Sequence, residues 1–405
     1  MRPAPNPEDT DIPNVLKSNF LTRAINTHKL IDAWEPPNIE VIQIAGWGVD
    51  TISGIRYDDC DSCDAIPFYN QTFFDLEKDD VQVEDGDGTV VTASATAMAT
   101  STYPAFYVDL DDYNRLGRFQ VNREHSDIME VEGLQDFIKQ IIEGERGNIS
   151  LPQFIETQKP EPEDDDKKLR LRIRSPISID VYDSFGNHTG LIPNPDPTSN
   201  IQVVEAQIPN SYYYEVGEKK YLGLDTKDQY RIEINGLDLG TFTIEIDQVW
   251  NDELQDTTSY ADIPVSTNTT GSFTTQFVDT TSPLSLDTNG DGKPDTTVKP
   301  AEKPDPLVSL GVLKNTIKSL SINKAVKNAL IKQIEAAENI LKKQPPKKLP
   351  EIGKTAFKNG SYKAADDILK GMIIQLKNFP SRLIAPADAQ ALIQIIETIQ
   401  ASMVS

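Results

Sequence analysis

The feature that most constrains the fold is a strict alternation of apolar and polar residues that begins at Lys168. Apolar residues alternate with arginines over 169–174, and the same period of two recurs in three later segments: 177–181, 230–234 and 242–246. A period of two places successive side chains on opposite faces of a strand, so each segment predicts a half-buried β-strand. Short strands at regular spacing, separated by turn sequences such as Asn235-Gly236, predict an antiparallel β-sandwich.

The C-terminal quarter of the chain changes to a helical period. Apolar residues share one face in three segments, marked by Leu330, Ile334, Ala337 and Leu341, by Ile368, Leu369, Met372 and Leu376, and by Leu392, Ile395, Ile396 and Ile399. Prolines separate the segments, and Asn359-Gly360 is interpreted as a turn that opens a helix. The pattern predicts a small α-helical bundle.

The N-terminal part of the chain combines both kinds of pattern. Segments 40–46 and 105–110 predict buried strands, and 132–142 predicts a helix with one apolar face. Asp87 lies between two glycines after the first strand, and His125 follows the second. The order strand, Asp, strand, His, helix fits the end of an α/β-hydrolase sheet.

Asp87 and His125 are residue types that suit nucleophilic catalysis by a serine. A serine hydroxyl becomes a good nucleophile when a base takes its proton, and histidine titrates near neutral pH. A buried carboxylate on the far ring nitrogen holds the tautomer and stabilises the imidazolium. We therefore take Asp87 and His125 as the candidate acid and base of a triad. No Gly-x-Ser-x-Gly occurs in the 405 residues, so the signature of the nucleophile is missing from the sequence.

Three stretches of this region carry a resemblance to a known family: 41–57 (VIQIAGWGVDTISGIRY), 83–93 (VEDGDGTVVTA) and 123–130 (REHSDIME). Through them, residues from about 17 to 145 resemble the C-terminal part of the lipase and lecithin:cholesterol-acyltransferase-like α/β-hydrolases. The resemblance implies that Asp87 orients the base, that His125 is the base, and that the substrate is an acyl ester of a lipid. It implies no cofactor for the chemistry. The family's serine and oxyanion hole lie in an N-terminal half of the domain that these residues do not include.

A second candidate site lies in the stretch rich in Thr, Ser and Asp. Oxygen-bearing side chains occupy positions 1, 3, 5 and 9 of a loop, with glycine at position 6: Asp287, Asn289, Asp291 and Asp295. Such spacing lets a loop wrap a Ca²⁺ ion, but Val298 at position 12 excludes a complete EF-hand. The loop is similar to the short Asp-rich calcium repeats of secreted bacterial proteins. A weak structural Ca²⁺ site and a solvated acidic turn both remain open.

The two cysteines, Cys60 and Cys63, form one Cys-x-x-Cys flanked by aspartates. One such pair cannot supply the four ligands of a structural zinc site. The neighbouring carboxylates disfavour a thiolate, which argues against a redox role. We interpret the pair as a small disulfide on a surface hairpin, which implies an oxidising environment outside the cytoplasm.

Net charge and hydropathy indicate which partners and which cellular location to expect for the protein. Lys and Arg number 39 against 63 Asp and Glu, which gives a net charge of −24. An acidic chain repels nucleic acid and anionic membrane surfaces, so neither is expected as a partner. No run of about 18 apolar residues predicts a transmembrane helix. We interpret the protein as secreted or at the cell surface, with a leader lost together with the N-terminal part.

Together these patterns predict a multidomain protein in five segments. Residues 1–156 form the C-terminal part of an α/β-hydrolase domain and 157–167 an acidic linker. A β-sandwich follows at 168–262, then a linker with the candidate calcium loop at 263–306 and a helical bundle at 307–405. The predicted function is the C-terminal portion of a secreted serine hydrolase or acyltransferase, which alone lacks a nucleophile. The alternative is a non-catalytic surface or adhesion protein with a degenerate hydrolase remnant.

Overall fold

The computed structural model describes residues 18–32, 38–58, 66–68, 71–73, 77–98, 103–116, 122–144, 150–162, 167–174, 176–196, 199, 201–217, 219–226, 228–251, 253–277, 281–300, 305–346 and 348–403. This part of the chain has a mixed α/β structure with several, mostly antiparallel sheets and a few helices. The chain divides into two compact units, Met1–Asp164 and Asp165–Ser405. The predicted disulfide between Cys60 and Cys63 lies outside the described residues.

The described residues of the first unit form seven strands in small sheets, with one α-helix before them and three among them. The strands are β1 Gln43–Trp47, β2 Thr51–Asp58, β3 Ile66–Phe68, β4 Gln71–Phe73, β5 Glu77–Val83, β6 Ala105–Asp109 and β7 Ile155–Glu156. The helices are α1 Ser18–Asp32, α2 Thr92–Ala95, α3 Leu110–Arg115 and α4 Leu134–Glu143, with a 3₁₀ turn at Ile128–Glu130. One sheet has the order β1-β6-β7, and two hairpins pair β2 with β5 and β3 with β4.

Strands β1 and β6 of the first unit run parallel, with Gln43 opposite Ala105 and Trp47 opposite Asp109. Helix α4 packs its apolar face on this sheet, where the ring of Phe137 meets Phe106 edge-to-face at 4.9 Å. Since the two strands are parallel, both of their carboxyl ends lie at the same edge of the sheet. The predicted acid, on the turn after β5, and the predicted base, beyond helix α3, meet near this edge.

The second unit contains two antiparallel sheets. Their strands are β8 Lys167–Arg174, β9 Ile177–Tyr182, β10 His188–Ile192, β11 Val203–Ala206, β12 Tyr212–Val216, β13 Lys219–Asp225, β14 Tyr230–Gly236, β15 Gly240–Trp250, β16 Glu253–Val265, β17 Thr270–Thr275, β18 Leu284–Asp287 and β19 Thr296–Val298. A seven-stranded sheet has the order β11-β10-β9-β14-β17-β18-β19, and a five-stranded sheet has the order β12-β13-β8-β15-β16.

The alternating segments supply the core between these two sheets. The apolar residues predicted on one face of β8, β9, β14 and β15 are all buried in a single cluster: Leu169, Leu171, Ile173, Ile177, Ile179, Val181, Tyr230, Ile232, Ile234, Phe242, Ile244 and Ile246. Because β8 and β15 belong to one sheet and β9 and β14 to the other, the two sheets pack face to face over a shared apolar layer.

Four helices complete the second unit: α5 Pro306–Ser319, α6 Lys324–Leu341, α7 Glu351–Asn378 and α8 Pro386–Met403. The helical faces read from the sequence line their common core, together with residues of α5 such as Leu310 and Leu313. Asp305 and Asn323 accept backbone N–H groups at the starts of α5 and α6 and so cap both helices. Helix α5 contacts β16 and β19, and α8 contacts β15.

The structure corrects the predicted linker at 263–306. Strand β16 continues past residue 262, and β17, β18 and β19 extend the seven-stranded sheet through Val298. These strands are short and rich in Thr and Ser, so only a few apolar side chains, among them Phe273 and Leu286, reach the core. The apolar period is therefore too brief to be recognised from sequence, although backbone pairing with the sheet makes the strands.

Two further local interpretations were wrong. Asn359-Gly360 is not a turn, because α7 runs unbroken through it and is anchored by the core residues that follow, such as Ala365 and Leu369. The composition of residues 183–190 predicts a hairpin turn around His188, but this histidine begins strand β10. Its ring nitrogens contact the carboxylates of Glu205 at 2.8 Å and Asp180 at 3.1 Å. These contacts with the neighbouring strands hold His188 in the sheet, although the composition around it is typical of a turn.

Candidate active site

The turn that carries Asp87 lies against the carboxyl end of strand β1. After strand β5 the chain returns to β1, where the N–H of Val49 donates to the carbonyl of Gly86 at 3.0 Å. Val49 and Asp87 form an isolated parallel bridge. Asp87 is buried at this position, with 5% of its surface exposed. The turn thus fixes a carboxyl group at the edge of the sheet where the parallel strands end.

Two glycines allow this close approach. A Cβ added to Gly46, in strand β1, would lie 2.6 Å from the Cβ of Asp87, so the strand and the turn touch only because the side chain is absent. Gly88 has a φ of +91°, a backbone conformation that glycine adopts without steric cost. Its N–H donates to the hydroxyl of Thr51 at 2.8 Å. Gly46 and Gly88 therefore determine where the Asp87 carboxylate lies.

The carboxylate of Asp87 divides its two oxygens between the turn and the histidine. Oδ1 accepts the N–H groups of Thr89 at 3.1 Å and Val90 at 2.8 Å. Oδ2 lies 2.9 Å from Nδ1 of His125, across 38 residues of sequence. The backbone donors hold the carboxylate still, so that Oδ2 faces the ring.

His125 is joined to Asp87 through its backbone as well as its ring, because its N–H donates to the Asp87 carbonyl at 2.8 Å. A carboxylate can only accept, so in the neutral ring we assign the proton to Nδ1, which leaves Nε2 as an acceptor. The His125 side chain is 49% exposed, whereas the Asp87 side chain is 7% exposed. A buried acid behind a half-exposed base is the arrangement that a hydroxyl nucleophile requires.

Within the part of the chain that the structure describes, Nε2 of His125 has no hydrogen-bond partner. The adjacent hydroxyl of Ser126 donates instead to Oε1 of Glu124 at 3.1 Å. The structure therefore brings together the two predicted catalytic residues and holds Nε2 accessible to a group from elsewhere.

Asp109 is one of several buried acids in this unit that sequence reasoning missed. Asp109 ends strand β6, and its Oδ1 accepts the N–H of Asp112 at 2.9 Å, which caps helix α3. Burial raises the pKa of the Asp109 carboxyl to about 7, the bond from Asp112 opposes that rise, and the nearby charges of Asp112 and Asp111 add to it. The sequence offered one signal, an aspartate at the end of a predicted buried strand.

The candidate calcium loop is closed by its own hydrogen bonds. Asp287 is buried, and its carboxylate accepts N–H groups from Asn289, Gly290 and Gly292 at 3.1, 2.7 and 2.6 Å. Asp295 accepts the Thr288 hydroxyl at 2.8 Å and the Asn289 amide at 2.9 Å, while Asp291 is exposed. No group of three or more His, Cys, Asp or Glu arranged to hold a metal occurs among the described residues. The calcium site stays a prediction.

In comparisons with known proteins, no family model matches the chain, and no curated protein or solved structure matches it either. No helix in the described ranges has both the length and the apolar character needed to cross a bilayer. The contact between Asp87 and His125 is therefore the feature of the chain that points most directly to a function.

Proposed function

We propose that Asp87 and His125 are the acid and the base of a serine hydrolase that acts on acyl esters of lipids, in the manner of a lipase or acyltransferase. The observation that carries the proposal is the 2.9 Å contact between Nδ1 of His125 and Oδ2 of Asp87. It joins two residues chosen from sequence order alone, with the acid buried and the second ring nitrogen accessible. The resemblance to the lipase family supports the substrate class.

In this mechanism, Nε2 of His125 takes the proton of a serine hydroxyl as the oxygen attacks the ester carbonyl. Asp87 stabilises the resulting imidazolium and holds the ring in its orientation. The imidazolium then gives its proton to the leaving alkoxide. In the second step, His125 deprotonates water, for hydrolysis, or an alcohol, for acyl transfer. We propose that the serine and the oxyanion hole come from polypeptide outside these 405 residues.

The test is hydrolysis of p-nitrophenyl butyrate by the chain co-expressed with the polypeptide encoded upstream of Met1. His125→Ala should lower kcat by about 10³-fold or more, because it removes the base. Asp87→Asn should lower kcat nearly as much, because it removes the carboxylate that holds the productive tautomer of the ring. His188→Ala is the matched control, since His188 also contacts carboxylates but lies in the second unit. Turnover retained in His125→Ala would remove the histidine from the mechanism.

The alternative function is that of a non-catalytic surface or adhesion protein that retains a hydrolase remnant. The observation that favours it is the size of the second unit, whose two sheets and four helices occupy residues 165–405. It predicts no hydrolysis dependent on His125 in the co-expressed complex. In both cases we propose a secreted or cell-surface protein, with Ca²⁺ at residues 287–295 as a structural ion that the chemistry does not need.

A further inference from the structure

The loop that carries His125 is held by a side chain outside the catalytic pair. Asn114 lies on helix α3 and is 5% exposed. Its Nδ2 donates to the carbonyl of Arg123 at 3.0 Å, and its Oδ1 accepts the N–H of the same residue at 2.6 Å. One buried amide therefore satisfies both polar groups of the backbone two residues before the histidine.

The Arg123 side chain extends this attachment to the other side of His125. Nη1 lies 2.8 Å from Oδ2 of Asp127 and 2.8 Å from Oε2 of Glu130. The second oxygen of Asp127 accepts the N–H of Glu124 at 2.8 Å. The loop is thus tied to itself before and after the histidine, while Asn114 ties it to the helix.

Asn114 in turn depends on the end of strand β6. Helix α3 begins directly after β6 and is capped by Asp109, opposite Trp47 of strand β1. Strand β1 contacts the Asp87 turn through Gly46 and Val49. The acid and the base are therefore positioned from the ends of two neighbouring parallel strands, the acid by β1 and the base by β6 through α3 and Asn114.

We propose that Asn114 is a positioning residue that sets the orientation of the His125 ring toward Asp87. A hydrogen bond between a ring and a carboxylate is sensitive to displacements of a few tenths of an ångström. Without the amide, both the carbonyl and the N–H of Arg123 lose their partner in a partly buried place, and the loop moves to solvate them. This inference rests on the proposed function for its consequence in catalysis, but the ring's orientation is measurable without turnover.

The experiment compares Asn114→Leu with Gln43→Met in the full chain. Gln43 is the matched control, because it is also a buried amide of the first unit that binds backbone on both of its sides. Its Nε2 donates to the Met98 carbonyl at 3.2 Å and its Oε1 accepts the Met98 N–H at 3.0 Å. It does so at the amino end of β1, opposite to the end that meets the Asp87 turn, so it should lose similar stability without affecting the histidine.

The readout is the tautomer of His125, from long-range ¹H–¹⁵N NMR of the imidazole at neutral pH. The wild type and Gln43→Met should show the Nδ1–H form. In Asn114→Leu we expect the ratio of the Nδ1–H form to the Nε2–H form to fall by about tenfold, because the two hydrogen bonds that hold the backbone of Arg123 are lost. Asn114→Asp keeps the acceptor for the Arg123 N–H, loses the donor to its carbonyl, and should give a smaller fall; it serves if leucine is not tolerated.

An unchanged tautomer ratio in a folded Asn114 variant would overturn the proposal, as would an equal change in Gln43→Met. In the co-expressed complex, Asn114→Leu should lower kcat for p-nitrophenyl butyrate about tenfold with KM unchanged, because only the orientation of the base changes. The two proposals fail separately. Hydrolysis independent of His125 refutes the proposed function, whereas an unmoved ring refutes the role of Asn114.

Discussion

Among the described residues, polar side chains make up a larger share of the buried positions in the first unit than in the second. In the second unit, the alternating segments and the helical faces fill two apolar cores. In the first, a smaller apolar core lies beside buried polar groups that gather near the carboxyl ends of β1 and β6, including Thr51, Asp87, Asp109 and Asn114. Buried carboxyl groups cost stability unless they are hydrogen-bonded. The buried polar groups of the first unit include Asp87, the proposed acid, whereas the second unit is built mainly on its two apolar cores.

The strongest test of this comparison removes apolar contact from the second unit. Leu171 is 1% exposed on β8, the middle strand of the five-stranded sheet. Leu171→Ala should lower the free energy of unfolding of that unit by about 3 kcal/mol through lost burial and a cavity. Differential scanning calorimetry measures the loss.

The control is Val204→Ala on strand β11, where the side chain is 50% exposed and the change should be close to neutral. If Leu171→Ala lowered the transition of the first unit by the same amount, the stability of the two regions would not be separate and the comparison would fail.

In the first unit, replacing the buried carboxyl group of Asp109 should raise stability, by less than Leu171→Ala lowers it in the second unit. Burial raises the pKa of Asp109 to about 7, so the folded state keeps a proton that the unfolded chain releases. The stability that this proton contributes is fully present below the unfolded pKa of 3.8 and is lost as pH rises through about 7. Asp109→Asn keeps a capping oxygen and removes the charge. The free energy of unfolding of the variant, relative to that of the wild type, should therefore be about 2 kcal/mol higher at pH 8 than at pH 5.

Urea unfolding at the two pH values measures this difference, with the exposed Asp136→Asn on α4 as the control. If Asp109→Asn and the wild type had equal free energies of unfolding at both pH values, the buried carboxyl would not lower the stability of the first unit.

The smallest expected effect concerns the calcium loop of the second unit. Millimolar CaCl₂ should raise the Tm of that unit by about 2 °C over EDTA, since an ion that binds only the folded loop stabilises it, and MgCl₂ should not. Asp291→Asn should remove the shift while sparing the backbone bonds of Asp287. Equal Tm values in CaCl₂ and EDTA would leave residues 287–295 as a solvated turn.

Sequence reasoning reached the site through order and composition. It selected Asp87 by its glycine neighbours and His125 by its place after a second strand, and the two side chains lie 2.9 Å apart. It missed Asp109 and Asn114, because one carboxyl at the end of a strand and one amide on a short helix have no distinctive spacing. It also missed β17 to β19, whose few core residues show no period, and it took His188 for a turn residue.

Where apolar residues recur with a local period, the sequence itself determined the type of element and its buried face. The alternation from Leu169 and the helical faces near Leu330 and Leu392 determine which side chains turn inward, because the geometry of strands and helices repeats over a few residues. Contacts between distant segments were decided only by the tertiary structure: the Asp87 turn against Gly46, the Asn114 amide on Arg123, and His188 between two carboxylates. Such contacts depend on how whole strands pair, which no short stretch of sequence encodes.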